Sequence, residues 1–367
     1  MMSQQQIVLF EERLSTSGKS IGIATLNSEK TLNALSLDMA RLLKAQLDEW
    51  EKSDSIACVV LQGSGEKAFC AGGDIVQLYN DMQNEIANVD RFFAEEYQLD
   101  YAIHTYKKPI VLWGNGIVMG GGLGLMSGCS HRVVTESTRM AMPEVTIGLF
   151  PDVGGTWFLN RAPGRTGLFL GLTGASINAA DAIYVGLADS FIGDQQRQAV
   201  IEGIVAIDWC DGSPNELVGK LLGRFEKTAE TLKPVGQVEH HFKHIQAVTE
   251  GDSLTDVVAR ITAYEGDDKW LSKAAAGLRQ GCPATIHLVW EQLQRGGSLS
   301  LQEVFEMELV MAMNCARMGN FQEGVRALLV EKDKNPQFMP PTLEEVTTDF
   351  VEWHFSAPPD AAASLVV

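Results

Sequence analysis

Five short apolar runs, rich in β-branched residues, punctuate the first 135 residues of the chain, and helical patterns lie between them. The runs are Ile7–Phe10, Ile21–Leu26, Ala57–Leu61, Pro109–Trp113 and Arg132–Thr135. Runs of this kind read as strands. Between the second and third, Met39, Leu43, Leu47 and Trp50 recur at steps of four, four and three and form one apolar stripe. Ser36 suits the N-cap of that helix and Asp38 its first turn. Residues 78–106 also read as helical, with acids interspersed among Phe92, Phe93, Tyr97 and Leu99. This alternation argues for an α/β core. After about residue 195 the strand signal stops, and the rest reads as helices broken by loops containing glycine, aspartate or proline.

The chain has 367 residues, 45% of them hydrophobic, enough for a large core. Its net charge of −18 repels phosphate backbones, so a nucleic-acid partner is not expected. A small anionic ligand stays compatible with that charge if its phosphates meet solvent or local Lys and Arg. The six cysteines are scattered without a CxxC pair, which predicts reduced, mostly packed thiols. No uncharged apolar run reaches about 18 residues, so no membrane span is expected. Neither MMSQQQIVLFEE nor the terminal SLVV reads as a targeting signal. A cytoplasmic enzyme is the expectation.

Two glycine clusters follow predicted strands: FCAGGD at 69–74 and GNGIVMGGGLGL at 114–125. Glycine tolerates positive φ and lets a ligand approach the bare backbone. Each cluster leads into a helix, whose first amides are unpaired and partly positive. Two such turns side by side would aim two amides at one oxygen, an oxyanion hole without side chains. Taken singly, each cluster is more simply a tight turn. Gly114, Gly116 and Gly120 miss the GxGxxG spacing by one residue, and Ser127 lacks the glycines of a GxSxG elbow.

The segment AMPEVTIGLFPDVGG, 141–155, sets Glu144 and Asp152 in an apolar run, each directly after a proline. Pro143 and Pro151 bias Met142 and Phe150 towards extended backbone, and Gly154 and Gly155 allow a sharp turn. Carboxylates in apolar surroundings have raised pKa values unless a partner compensates, which suits proton transfer or nucleophilic attack. A cap or an ion pair for Glu144, and an Asx turn for Asp152, are the structural alternatives.

KTLNALSLDM, KAFCAGGDI and MGGGLGL with MPEVTIGLFPDVGG resemble the enoyl-CoA hydratase/isomerase (crotonase) superfamily. FFAEEY at 92–97, GLFPDVGG at 148–155 and FQEGVRALLVEKDKNP at 321–336 are closer to its 3-hydroxyisobutyryl-CoA hydrolase branch. The resemblance runs from about residue 7 to 355. It implies an α/β (α+β) fold, a spiral of ββα turns over residues 1–200 holding the acyl-CoA site, with a helical region over 201–357; the Ala- and Pro-rich segment 358–367 reads from its composition as a flexible tail. The resemblance implies hydrolysis of a short 3-hydroxyacyl-CoA thioester, with no cofactor beyond the coenzyme A of the substrate and no metal.

By the same resemblance, the amides of Gly73 and Gly121 take the thioester oxygen, and the Ala71 carbonyl takes the adenine. Gly72, Asp74 and Gly120 join Ala71 and Glu96 among the substrate-binding positions. Glu144 and Asp152 are catalytic: Glu144 attacks the carbonyl or activates water, while Asp152 and Glu96 orient the substrate's 3-hydroxyl. Hydratases of the superfamily use two glutamates. The second matches Glu144, but the first falls on Gly124 here, which disfavours hydration. Enoyl-CoA hydration or isomerisation and non-catalytic acyl-CoA binding are the alternatives. A homo-oligomer is compatible with the resemblance.

Other candidates read as structural. His240 and His244 lie four apart, as a metal pair would, but lack a third ligand nearby, and VEHHFKH looks like a polar helix face. Cys70 has no evident base beside it, His131 starts a strand, and Arg326 suits an ion-pair anchor.

Overall fold

A computed structural model describes residues 6–361 of the chain. Residues 1–5 and, of the tail expected from Pro358, residues 362–367 lie outside the described residues.

The strands are β1 (Val8–Leu14), β2 (Ser20–Leu26), β3 (Ile56–Gly63), β4 (Ala68–Cys70), β5 (Ile110–Gly114), β6 (Ile117–Met119), β7 (His131–Val134), β8 (Arg139–Ala141), β9 (Ile177–Asn178) and β10 (Ser190–Phe191). The five expected strands thus appear as β1, β2, β3, β5 and β7. Five further short strands have too few residues for a periodic signal. After β10 the described chain is helical, as its sequence pattern predicts.

The contacts divide the chain into two compact units. The first joins the chain up to Gly73 with Leu99–Met140 and Ile177–Gly236; the second joins Asp74–Gln98, Ala141–Ser176 and the chain from Gln237 onward.

In the first unit, six strands form a sheet in the order β1-β2-β3-β5-β7-β10. β1 pairs antiparallel with β2, and the remaining neighbours are parallel. Alternate residues Ile21 and Ile23, Cys58 and Val60, Val111 and Trp113 share one buried cluster with Val200, Ile201, Ile204, Val218 and Leu222. Side chains two apart point to one face of a strand, so the helices Arg197–Val205 and Pro214–Ala229 cover that face. The helix Leu37–Lys52 buries its predicted stripe of Met39, Leu43, Leu47 and Trp50, and Ser36 caps it by accepting the Met39 amide. Gly22 is required beneath it, because a Cβ there would lie 2.7 Å from the Trp50 ring. A second sheet has the order β4-β6-β8-β9.

The second unit is helical. Its helices include Ile75–Asn84, Gly155–Leu159, Thr166–Thr173, Pro283–Gly296 and Leu301–Arg317. The helical stretch expected over 78–106 is two helices, Ile75–Asn84 and Ile86–His104, separated at Glu85. Among the described residues no helix is long and apolar enough to cross a membrane. Among the described residues the six cysteines form no disulfide; five are buried and Cys210 is exposed.

Candidate active site

The two glycine clusters meet inside the first unit. After β4 the chain is pinned from both sides: the Ala71 amide donates to the Leu32 carbonyl at 3.1 Å, and the Leu35 amide to the Gly72 carbonyl at 2.8 Å. After β6, Gly120 turns with φ 48° into the helix Gly121–Ser127. The turns lie backbone against backbone. A Cβ on Gly72 would sit 3.4 Å from the Met119 carbonyl oxygen and 3.9 Å from the Gly121 nitrogen. A Cβ on Gly122 would sit 2.4 Å from the Cys70 carbonyl oxygen, an impossible approach. Small residues are therefore demanded by contact between the turns. Gly121 opens its helix, so its amide is among those with no intrahelical acceptor. Ala71, Gly72, Gly73, Gly120 and Gly121 all belong to this paired turn. Cys70 is buried within it, its thiol 3.6 Å from the Gly72 carbonyl, and acts as a small packed residue.

The expected acids Glu96, Glu144 and Asp152 come together in the second unit, all nearly inaccessible at 2%, 6% and 4% exposure. Glu96 projects from the helix Ile86–His104. Glu144 opens a 3-10 turn, Glu144–Ile147, which Gly148 closes with φ 75°. Asp152 precedes two consecutive left-handed residues, Val153 at φ 52° and Gly154 at φ 85°, before the helix Gly155–Leu159. Left-handed backbone is strained for a β-branched residue such as Val153 and needs support from its surroundings. Asp74, also in this unit, caps the helix Ile75–Asn84 by accepting the Gln77 amide.

Burial dominates the electrostatics. It pushes Glu144 well above the usual carboxylate range, and the charges of Asp152 and Glu96 add to it against the pull of its own amide. Glu96 is raised by burial and then by Asp152. Asp152 is raised by burial to about 7, although the Tyr97 hydroxyl and its own amide pull it down. Among the described residues none of the three forms an ion pair with Lys, Arg or His. Glu144 Oε2 and Glu96 Oε1 are buried with no hydrogen-bond partner among them. A buried carboxyl without a cationic partner, its pKa raised, is suited to exchanging a proton or attacking a carbon.

Three participants escaped the sequence reading. Tyr97 donates its hydroxyl to Asp152 Oδ2 at 2.8 Å, and its ring lies 5.9 Å from those of Phe93 and Phe305. Gln292 donates to the Pro151 carbonyl at 2.9 Å. Glu308, wholly buried, accepts the amides of Gly154 and Thr156 at 2.7 and 2.8 Å. A signal existed for Glu308: it interrupts the buried face formed by Val304, Phe305, Leu309 and Ala312.

The histidines take other places. The helix expected through VEHHFKH breaks at His241, between Gln237–His240 and Phe242–Thr249. His241 stacks on Trp270 and lies 3.2 Å from Asp268, while His244 meets the Tyr264 ring edge-on. No group of three or more His, Cys, Asp or Glu among the described residues is placed to hold a metal. His131 binds the Asn215 carbonyl through Nε2. Arg326 pairs with Glu323, Glu331 and Asp333.

A family model described as enoyl-CoA hydratase/isomerase matches residues 21–355. The chain belongs to the enoyl-CoA hydratase/isomerase family. Among its curated relatives, the mitochondrial 3-hydroxyisobutyryl-CoA hydrolase of Danio rerio is 39% identical, over 95% of this chain and 89% of the relative. The protein of the same name from Xenopus tropicalis is 38% identical, over 94% of this chain and 89% of the relative. Among solved structures, one titled a carnitinyl-CoA dehydratase from Mycobacterium thermoresistibile superposes with a TM-score of 0.86 at 34% identity, covering 98% of both chains. The crotonase-like α/β fold expected from the sequence is thus the fold of this family.

Proposed function

We propose that this member of the enoyl-CoA hydratase/isomerase family hydrolyses the thioester of a short 3-hydroxyacyl-CoA, with 3-hydroxyisobutyryl-CoA, an intermediate of valine breakdown, as the preferred substrate. The observation that carries the reading is the buried pair Glu144 and Asp152, both raised and both without a cationic partner among the described residues. Hydration in this family calls for a second glutamate where this chain has Gly124, a buried residue of the helix Gly121–Ser127. The relatives named as hydrolases support the same chemistry.

In the proposed reaction the amides of Gly73 and Gly121 receive the thioester oxygen as it gains negative charge. Each such donor is worth roughly 3–4 kcal/mol of barrier. Glu144 either attacks the carbonyl carbon, giving a mixed anhydride that water cleaves, or removes a proton from the attacking water. By both routes the acyl–sulfur bond breaks, water supplies one oxygen of the acid, and CoA leaves as a thiol. Asp152 and Glu96 bind the 3-hydroxyl, and Ala71, with Gly72, Asp74 and Gly120 nearby, contacts the CoA moiety. A site built to hydrogen-bond a hydroxyl rejects the analogue lacking it, because its buried polar groups would be left unpaired. No cofactor beyond the substrate's own coenzyme A is required.

Thiol release from 3-hydroxyisobutyryl-CoA, isobutyryl-CoA and crotonyl-CoA is the test. Fast release from the first alone is expected, and equal release from the first two refutes hydroxyl recognition. The solved dehydratase keeps a second reading in view, reversible hydration of an enoyl-CoA. Consumption of crotonyl-CoA, followed by loss of its enoyl absorbance without thiol release, would establish it instead. The cytoplasmic location and a homo-oligomeric state remain part of the proposal. The relatives carry a mitochondrial designation, so fractionation of the native cell and sedimentation of the purified protein decide these two points.

A further inference from the structure

Asp152 sits on a turn that the local sequence does not favour, with Val153 and Gly154 both left-handed. The turn is gripped from a distant helix. The two carboxylate oxygens of Glu308 each accept one amide, Gly154 on Oε2 at 2.7 Å and Thr156 on Oε1 at 2.8 Å. Glu308 lies in the middle of the 17-residue helix Leu301–Arg317, a rigid support that its own capping box at Ser300 and Glu303 secures. Gln292, on the helix Pro283–Gly296, holds the residue on the other side of Asp152 through the Pro151 carbonyl. The aspartate is therefore fixed from both flanks.

This acid is costly where it is. Glu308 is inaccessible and has no cationic partner among the described residues, and burial raises its carboxyl to about 8. Burying an acid without a cation costs free energy that the two accepted amides offset, and an apolar side chain would leave those amides without their acceptor. Costs of this kind persist where they hold a functional geometry. Two amides on one carboxylate define the direction of the turn as well as its position.

We propose that Glu308 is a positioning residue for the reaction: by holding the amides of Gly154 and Thr156 it aims the Asp152 carboxylate and so governs recognition of the substrate's 3-hydroxyl. This rests on the role given to Asp152 above. Glu308→Gln keeps the shape but offers one oxygen, and its amide group opposes one of the two N–H donors. The turn then swings, and a displacement of about 1 Å at a reacting group costs roughly a hundredfold.

The experiment compares kcat/KM for 3-hydroxyisobutyryl-CoA and isobutyryl-CoA in the wild type, Glu308→Gln and Glu308→Asp. In Glu308→Gln the ratio of the two values is expected to fall about 10- to 100-fold, through the hydroxylated substrate. Glu308→Asp, which keeps both acceptors but is one methylene shorter, is expected to lie between. A folded variant that keeps the wild-type ratio while losing activity equally on both substrates overturns the proposal, since a purely structural acid would act that way. Loss of the folded circular dichroism spectrum in both variants overturns it too. A wild type that cleaves neither thioester instead refutes the functional reading on which it rests.

Discussion

Tyr97 and Asp152 lie 55 residues apart in sequence and share a buried hydrogen bond of 2.8 Å, the phenol donating to the carboxylate. The bond favours the ionised carboxylate, whereas burial favours the protonated one, and the balance leaves Asp152 at about 7. A group so placed changes charge within the working range of a hydrolase.

Tyr97→Phe removes that donor and nothing else from the contact. Asp152 then titrates at higher pH, so the acidic limb of the kcat/KM profile moves upward. Stability falls by about 1.5–3 kcal/mol wherever Asp152 is ionised, the usual worth of a hydrogen bond to a charged group. A pH profile unchanged by the substitution would separate this bond from catalysis.

Glu144→Gln keeps volume and removes the charge. Turnover is expected to fall by about 10²–10⁴-fold, the span of acid–base and nucleophilic contributions, while binding of free CoA stays near the wild-type value. Isothermal titration with CoA and a thiol-release assay read the two effects separately. Activity within tenfold of wild type excludes Glu144 from the chemistry.

The acid cluster sets the pH dependence of stability. Asp152 is raised from 3.8 to about 7 and Glu308 from 4.5 to about 8, and Glu96 and Glu144 move in the same direction. Each therefore binds its proton more tightly in the folded state than in the unfolded chain. Their contribution is full below about pH 4 and is lost as pH rises through 7 and 8. Thermal melts should show a lower Tm at pH 8.5 than at pH 6, and Glu144→Gln should reduce the difference. A Tm that rises between those pH values contradicts the shifts.

Gly122→Ala tests the paired turns. Its Cβ would stand 2.4 Å from the Cys70 carbonyl oxygen, so the two turns must separate. Overpacking of this kind costs about 1–3 kcal/mol, and more than a tenfold loss of kcat/KM should accompany it as the amides of Gly73 and Gly121 move apart. A fully active, equally stable variant would show that the close approach is dispensable.

What was legible in the sequence was local. Ile21 and Ile23 announce a strand because side chains two apart share its face, and Met39, Leu43 and Leu47 announce a helix because residues four apart share one turn after another. Ser36 as a cap and the glycines at 72 and 120 follow from backbone stereochemistry alone. The break at His241, by contrast, carries no local mark in VEHHFKH.

The acids show where that reach ends. Glu144 and Asp152 could be singled out because a carboxylate in an apolar run is conspicuous along the chain. That Asp152 would receive a hydroxyl from Tyr97, and that Glu308 would hold the turn after it from about 150 residues away, was decided only by tertiary packing. Periodicity and capping are interactions between near neighbours, so a sequence displays them directly. Burial of a charge is a property of everything packed around it, and for Glu96, Glu144, Asp152 and Glu308 those surroundings come from segments that meet only in the folded protein.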